Sequence, residues 1–191
     1  MRPSHLLLTS VALLALARDA AAQRPAAPAP RTSFSFGLSK GAGALTCPFC
    51  TGEGKGGLAG LLGVERTFRP GIRVGVEADW WLHSGGGSTR SVLGLAPVAH
   101  LYMSKSSPLF IKLGVGIARF TASSDEEELR TTTVAGVLGT GYEFQLSDRT
   151  MVIPYVSWLS GNGGTMRLNG AQVTPLGGVS LLQIGVALSK R

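Results

Sequence analysis

From Ser33 onward, apolar and polar residues alternate with a period of two, the spacing of strands that present one apolar face. The segment from Ile72 to His83 shows it best. Ile72, Val74, Val76, Ala78, Trp80 and Leu82 fall on one face, and Arg73, Gly75, Glu77, Asp79, Trp81 and His83 on the other. In Leu109 to Ala118, Leu109, Ile111, Leu113, Val115 and Ile117 oppose Lys112, Gly114, Gly116 and Ala118. Near the end of the chain, Leu182, Ile184, Val186 and Leu188 oppose Gln183, Gly185 and Ala187. Eight such segments are predicted, at roughly 33–44, 58–69, 72–83, 91–103, 109–120, 131–146, 150–160 and 177–188. Most approach the ~9–11 residues a tilted strand needs to cross a bilayer. The fourth and seventh do not declare their facing. Pro97 and Pro154 each remove a ladder hydrogen bond there and point to bulges or rim positions.

The predicted connections alternate in length. Pro70-Gly71, Ser104 to Pro108 and Ser147 to Arg149 are tight, whereas Leu45 to Gly57, Ser84 to Arg90, Thr121 to Arg130 and Gly161 to Leu176 are long and polar. Short turns on one side and long loops on the other are the build of bacterial outer-membrane barrels. An even strand number puts both ends of the barrel on the short-turn side, so the long loops face outside the cell.

The second face decides which way the strands point. It is mostly Gly, Ala and Ser with isolated charges, which suits the narrow lumen of an eight-stranded barrel rather than a solvated exterior. The expected fold is all-β, an eight-stranded antiparallel up-and-down transmembrane β-barrel with its apolar face toward lipid. Glu65, Arg73, Glu77, Asp79, Lys112 and Glu143 then point inward. Buried charges need partners, so Arg73 and Lys112 are expected to bridge the carboxylates as a salt-bridged plug rather than a gated ion path. Trp80, Trp81, Tyr102, Phe120, Tyr142, Phe144 and Trp158 lie near strand ends, where interfacial aromatic girdles belong.

Composition narrows the alternatives. The 191 residues include 27 glycines and only 15% charged residues, with a mean hydropathy of +0.23. That is too apolar for a disordered chain and too glycine-rich for a helical one. No apolar stretch reaches the roughly 20 residues of a spanning helix, so a membrane location requires a closed barrel. Residues 1–22 read as a cleaved signal peptide, with a basic start, an apolar run and Ala20-Ala21-Ala22 before Gln23. Residues 23–32 read as a Pro/Ala-rich linker and 33–191 as the barrel domain. The formal net charge of +7 is spread over single residues with no basic run or stacking platform, so nucleic acid is not an expected partner. Outer-membrane lipids are, together with the barrel-insertion machinery during biogenesis and an extracellular ligand or protein at the loops.

Three stretches carry a family resemblance: Leu95 to Ile117 (LAPVAHLYMSKSSPLFIKLGVGI), Gly139 to Ser147 (GTGYEFQLS) and Leu181 to Leu188 (LLQIGVAL). The first resembles a strand, tight turn and Pro-x-aromatic-x-Lys-x-Gly-x-Gly strand, and the second a Gly-x-Gly-x-Glu-aromatic strand entering a turn. In these the chain resembles the small OmpA/OmpX-like outer-membrane barrels over about residues 33–188. The resemblance implies the barrel fold and an outer-membrane location. Members of that family commonly end in an aromatic residue; this sequence ends Leu188-Ser189-Lys190-Arg191.

Candidate chemistry is sparse. Cys47-Pro48-Phe49-Cys50 sits in a Gly-rich stretch without the helical context of a redox motif, so in an exported protein a local disulfide is expected. No metal or cofactor set is recognisable, and none is expected. A lipid-acting enzyme on the same fold is the main functional alternative. It would need a nucleophile with a base in reach, and His83 beside Ser84 is the nearest candidate, although neighbours on a strand face opposite ways. A soluble periplasmic ligand-binding barrel, with its apolar face inward, is the other alternative. Asp125-Glu126-Glu127-Glu128 reads as a solvated loop tip, and Gly52 to Gly57 lacks the phosphate-loop pattern. The expected function is therefore a non-enzymatic structural or surface-interaction barrel.

Overall fold

The computed structural model describes residues 32–47, 53–104, 107–124 and 126–191. The expected signal peptide, the linker before Thr32, and Cys50 lie outside them. Nine strands follow one another: β1 (Thr32–Thr46), β2 (Lys55–Arg69), β3 (Ile72–Gly85), β4 (Ser88–Tyr102), β5 (Leu109–Ser123), β6 (Glu128–Tyr142), β7 (Phe144–Gln145), β8 (Thr150–Leu168) and β9 (Ala171–Lys190). Each pairs antiparallel with a sequence neighbour, and β9 pairs with β1, closing the sheet. β7 is the end of β6. Gly141 faces Tyr155 and Phe144 faces Val152, the same step along both chains, so the register runs through unbroken. Pro154 lies opposite the interruption and has no N–H to donate across it. The result is an eight-stranded up-and-down barrel.

The alternation seen in the sequence is the partition between wall and lumen. Phe34, Val115, Val134 and Ile184 are 62%, 63%, 66% and 61% exposed, in a continuous band that a soluble protein would not show to water. The inward positions are buried, and the fourth and seventh segments resolve in the same way. Val92, Ala96, Val98 and His100 face in from β4, and Met151, Ile153, Tyr155 and Leu159 from β8. Pro97 faces outward, and neither it nor Pro154 shifts the register, so of the bulge or rim position expected at each proline, the bulge does not occur.

Two further expectations need correction. The loops at 84–90, 121–130 and 161–176 are mostly strand: β3 and β4 are joined by Gly86-Gly87, β5 and β6 by residues 124–127, and β8 and β9 by Asn169-Gly170. The two-residue turns have positive φ throughout, at 62° and 73° for the glycine pair and 49° and 85° for Asn169 and Gly170, the geometry that matches hairpin twist. At these three connections the asymmetry between the two ends thus lies in hairpins that outrun the apolar band. The expected aromatic girdle also splits. Trp80 and Trp158 face outward, whereas Trp81 and Phe120 are buried in the lumen at 1% and 3% exposure, and the Tyr102 hydroxyl bonds the inward Glu143. True bulges occur elsewhere, at Thr67 to Arg69 and within Gly161 to Arg167 of the β8–β9 hairpin.

Candidate functional site

The lumen is where the charged residues meet, and the inward positions of β3 mark its levels from the turn end upward. At the first level Arg73 and Arg191 share Glu143. Arg73 Nη2 lies 3.1 Å and Arg191 Nη2 2.8 Å from Glu143 Oε2, and the Tyr102 hydroxyl donates to Oε1 at 2.7 Å. The Arg73 guanidinium also rests 4.7 Å from the Tyr102 ring centroid, a cation–π contact that suits a planar cation in a narrow space. Burial, with Arg73 beside it, holds the Arg191 guanidinium below the ordinary arginine value. Close by, His100 Nδ1 is 3.2 Å from Glu65 Oε2, and the imidazole stacks on Phe110 with centroids 4.4 Å apart.

Higher up, Lys112 pairs with Glu77, and only 4% and 3% of these side chains are exposed. Gln183 Nε2 donates to Asp79 Oδ1 at 2.7 Å, and Ser39 donates to Gln183 Oε1 at 3.0 Å. The six residues expected inside lie on the inward face and form four pairings. Arg73 meets Glu143, Lys112 meets Glu77, and Glu65 and Asp79 are held by His100 and Gln183. Three further members were not anticipated in these roles: Gln183, Tyr102 and Arg191. Gln183 was legible as a polar residue on an inward parity. Arg191 follows the last strand, where alternation carries no information.

Above the ionic levels the lumen turns apolar. Trp81 fills it with Leu159, Leu181, Val92 and Val179, each at 1% exposure or less. Trp81 Nε1 donates to the Gly41 carbonyl at 3.2 Å. The indole fits because β1 offers no side chain opposite it: a Cβ on Gly43 would come within 2.6 Å of the ring, and one on Gly41 within 2.9 Å. Gly41 and Gly43 are thus the mould for Trp81.

The geometry around His83 and Ser84 is less accommodating to catalysis. His83 Nδ1 lies 2.7 Å from the Gly56 carbonyl, whereas Ser84 contacts Thr89 Oγ1 at 3.4 Å. The two side chains serve different neighbours. Among the described residues no group of His, Cys, Asp and Glu is placed to hold a metal ion. The pairing of Cys47 with Cys50 falls outside the described residues. An apolar hollow lined by Phe34, Phe36, Leu62, Val64, Val76 and Leu188 lies on the lipid-facing wall, away from the lumen charges.

A closed sheet with an apolar exterior and a packed, internally paired lumen defines a transmembrane β-barrel. No protein-family model matches the chain, and no curated protein matches it in sequence. In structure it is similar to Neisserial surface protein A, at 10% identity over 82% of this chain and 96% of that one, with a TM-score of 0.57. It is also similar to Ail, the attachment invasion locus protein of Yersinia pestis, at 10% identity over 84% and 99%, with a TM-score of 0.52. For the outer membrane protein OprG from Pseudomonas aeruginosa the identity is 14%, the coverage 87% and 99%, and the TM-score 0.51. Within its class the chain therefore shares the fold of these small eight-stranded barrels.

Proposed function

We propose that this protein is a non-enzymatic outer-membrane barrel with a closed lumen, serving the envelope structurally and through contacts of its outward hairpins. The reading rests on the plug. Trp81, Leu159, Leu181, Val92 and Val179 close the upper lumen, and the ion pairs below them satisfy one another rather than lining a path. Eight-stranded barrels are narrow enough for side chains to fill them. The β8–β9 hairpin, with strands of 19 and 20 residues, outruns the ~9–11 needed to span the bilayer and offers the largest surface for a partner.

Two measurements test this. Planar-bilayer recordings of the refolded protein are expected to show no steady conductance; a reproducible ohmic pore would overturn the closed-lumen reading. Phospholipid and lipid A hydrolysis by the wild type, His83→Ala and Ser84→Ala is expected to stay at the buffer rate in all three. Activity that either substitution abolishes would move the protein to the enzyme class. Orientation is checked separately with Gly170→Cys, which an impermeant maleimide should label on intact cells.

A further inference from the structure

The outer wall carries an unusual charge distribution at its hairpin end. Arg119 of β5, Arg130 of β6 and Arg167 of β8 surround one open hollow of about 670 Å³, with Glu128, Thr132 and Thr165 also on its walls. The register makes them neighbours. Arg119 sits across from Thr132, Arg130 directly across from Arg167, and Thr132 across from Thr165. All five side chains are on the exposed outward face. Like charges directly opposed on adjoining strands repel, and within the hollow only Glu128 offsets them, paired to Arg130. Arg119 has only the Thr132 hydroxyl, at 3.3 Å from its Nε. Among the described residues nothing pairs with the Arg167 guanidinium.

What lies beside the hollow narrows its ligand. On the same strands and the same outward face, Ile117 and Val134 are 55% and 66% exposed and belong to the lipid-facing band. A ligand seated on the arginines therefore has acyl chains for neighbours on one side and water on the other. The planar guanidinium fork matches phosphate oxygens two at a time, which ammonium groups do not. A neutral headgroup would leave the Arg130–Arg167 repulsion uncompensated. Glu128 is the single carboxylate on the outward face of the described strands, so the wall as a whole favours anions.

We infer that this hollow binds the phosphorylated headgroup of an outer-leaflet glycolipid, with its acyl chains laid along Ile117 and Val134. The inference deepens the proposed role, since it names a lipid partner for the outward hairpins and rests on their facing outside. The arginines act together: Arg130 and Arg167 clasp one phosphate between facing strands, and Arg119 steadies it from β5. Such a lipid relieves the repulsion across the β6–β8 pair and fastens the hairpin end to the membrane surface.

The test uses the full refolded barrel and native mass spectrometry with bisphosphorylated lipid A, its dephosphorylated form, and inorganic phosphate. The wild type should retain bisphosphorylated lipid A about a hundredfold more strongly than Arg119→Gln/Arg130→Gln/Arg167→Gln, given the usual contribution of each basic residue near an anionic surface. The dephosphorylated lipid should bind both proteins equally weakly. Arg66→Gln/Lys190→Gln, at the turn end, should bind as the wild type does. Equal retention by the triple variant and the wild type would overturn the inference. So would a matching loss in the turn-end variant, which would reduce the effect to overall charge. Displacement of the lipid by millimolar inorganic phosphate would mean an isolated anion site and would also refute it. If the triple variant fails the heat-dependent gel shift of a folded barrel, Arg167→Glu carries the same test alone. Maleimide labelling of Thr89→Cys, exposed at the same hairpin end but outside the hollow, is independent of lipid affinity, so an error in orientation is distinguishable from an empty hollow.

Discussion

Lys112 is the residue whose loss should harm the lumen most. It is the cation paired with Glu77, and Asp79 follows two residues later on the same inward face of β3. Lys112→Met keeps the volume but leaves two carboxylates close together in a space where their exposures are 2% and 0%. Removing one partner of a buried pair costs about 3–5 kcal/mol, because the other charge is stranded. Glu77→Gln is milder, since Lys112 keeps Asp79 as a counter-charge; a loss of about 1–2 kcal/mol is expected, near that of a weakened hydrogen bond to a charged group. The double variant should lie above the sum of the two by about 1–3 kcal/mol, the usual coupling of residues in contact. Reversible urea unfolding in lipid vesicles, followed by tryptophan fluorescence, reads all three. With a slope of about 2 kcal/mol per molar urea, Lys112→Met moves the midpoint down by about 2 M. Strict additivity, or a Lys112→Met midpoint within about 0.2 M of the wild type, would refute the argument. Either result would mean that the lumen is wet enough to screen the pair.

Three other outcomes follow from the same geometry. In single-tryptophan variants, brominated acyl chains should quench Trp80 and Trp158 but spare Trp81, and strong quenching of Trp81 would mean that β3 is out of register by one residue. Gly116→Ala should cost at least ~1–3 kcal/mol in the same unfolding assay, because its Cβ would sit 2.1 Å from the Leu95 carbonyl oxygen, whereas Gly56→Ala, with nothing within 4 Å, should be silent. Thiol titration of denatured protein purified without reductant should find no free thiol at Cys47 and Cys50; two equivalents would exclude a disulfide in the exported protein.

Period-two alternation made the wall and lumen legible from Phe34 to Leu188 because a bilayer and a packed interior impose opposite demands on successive residues. The same logic explains where it failed. Beyond the bilayer the hairpins meet water on both faces, so Ser84 to Arg90 and Thr121 to Arg130 lose their apolar stripe and look like loops although their backbones remain paired. In the β8–β9 hairpin the bulges between Gly161 and Arg167 shift the inward parity from Leu159 to Gly164 and Met166. A pattern that changes phase midway reads as no pattern. The aromatic misassignment has a third cause. Trp81 and Phe120 stand near strand ends in sequence, but hydropathy does not tell a ring that anchors in the interface from one that plugs a lumen; the glycines at 41 and 43 were the distinguishing signal.

That glycine signal also explains the division between the two ends of the lumen. An eight-stranded barrel is filled either by large side chains opposite small ones or by charged chains that reach one another across the axis. In the upper half β1 supplies glycine at 41 and 43, and Trp81 occupies the space they leave. Toward the turn end β3 supplies Arg73, β4 Tyr102 and His100, and the chain end Arg191, whose long side chains converge on Glu143 and Glu65. Charges at that end remain close to the turn-side rim, where desolvation costs less than at mid-membrane, while the dry plug sits toward the long hairpins. On the outer wall at the same hairpin end, the guanidinium of Arg167, without a partner among the described residues, and its two neighbours stand just beyond the apolar band.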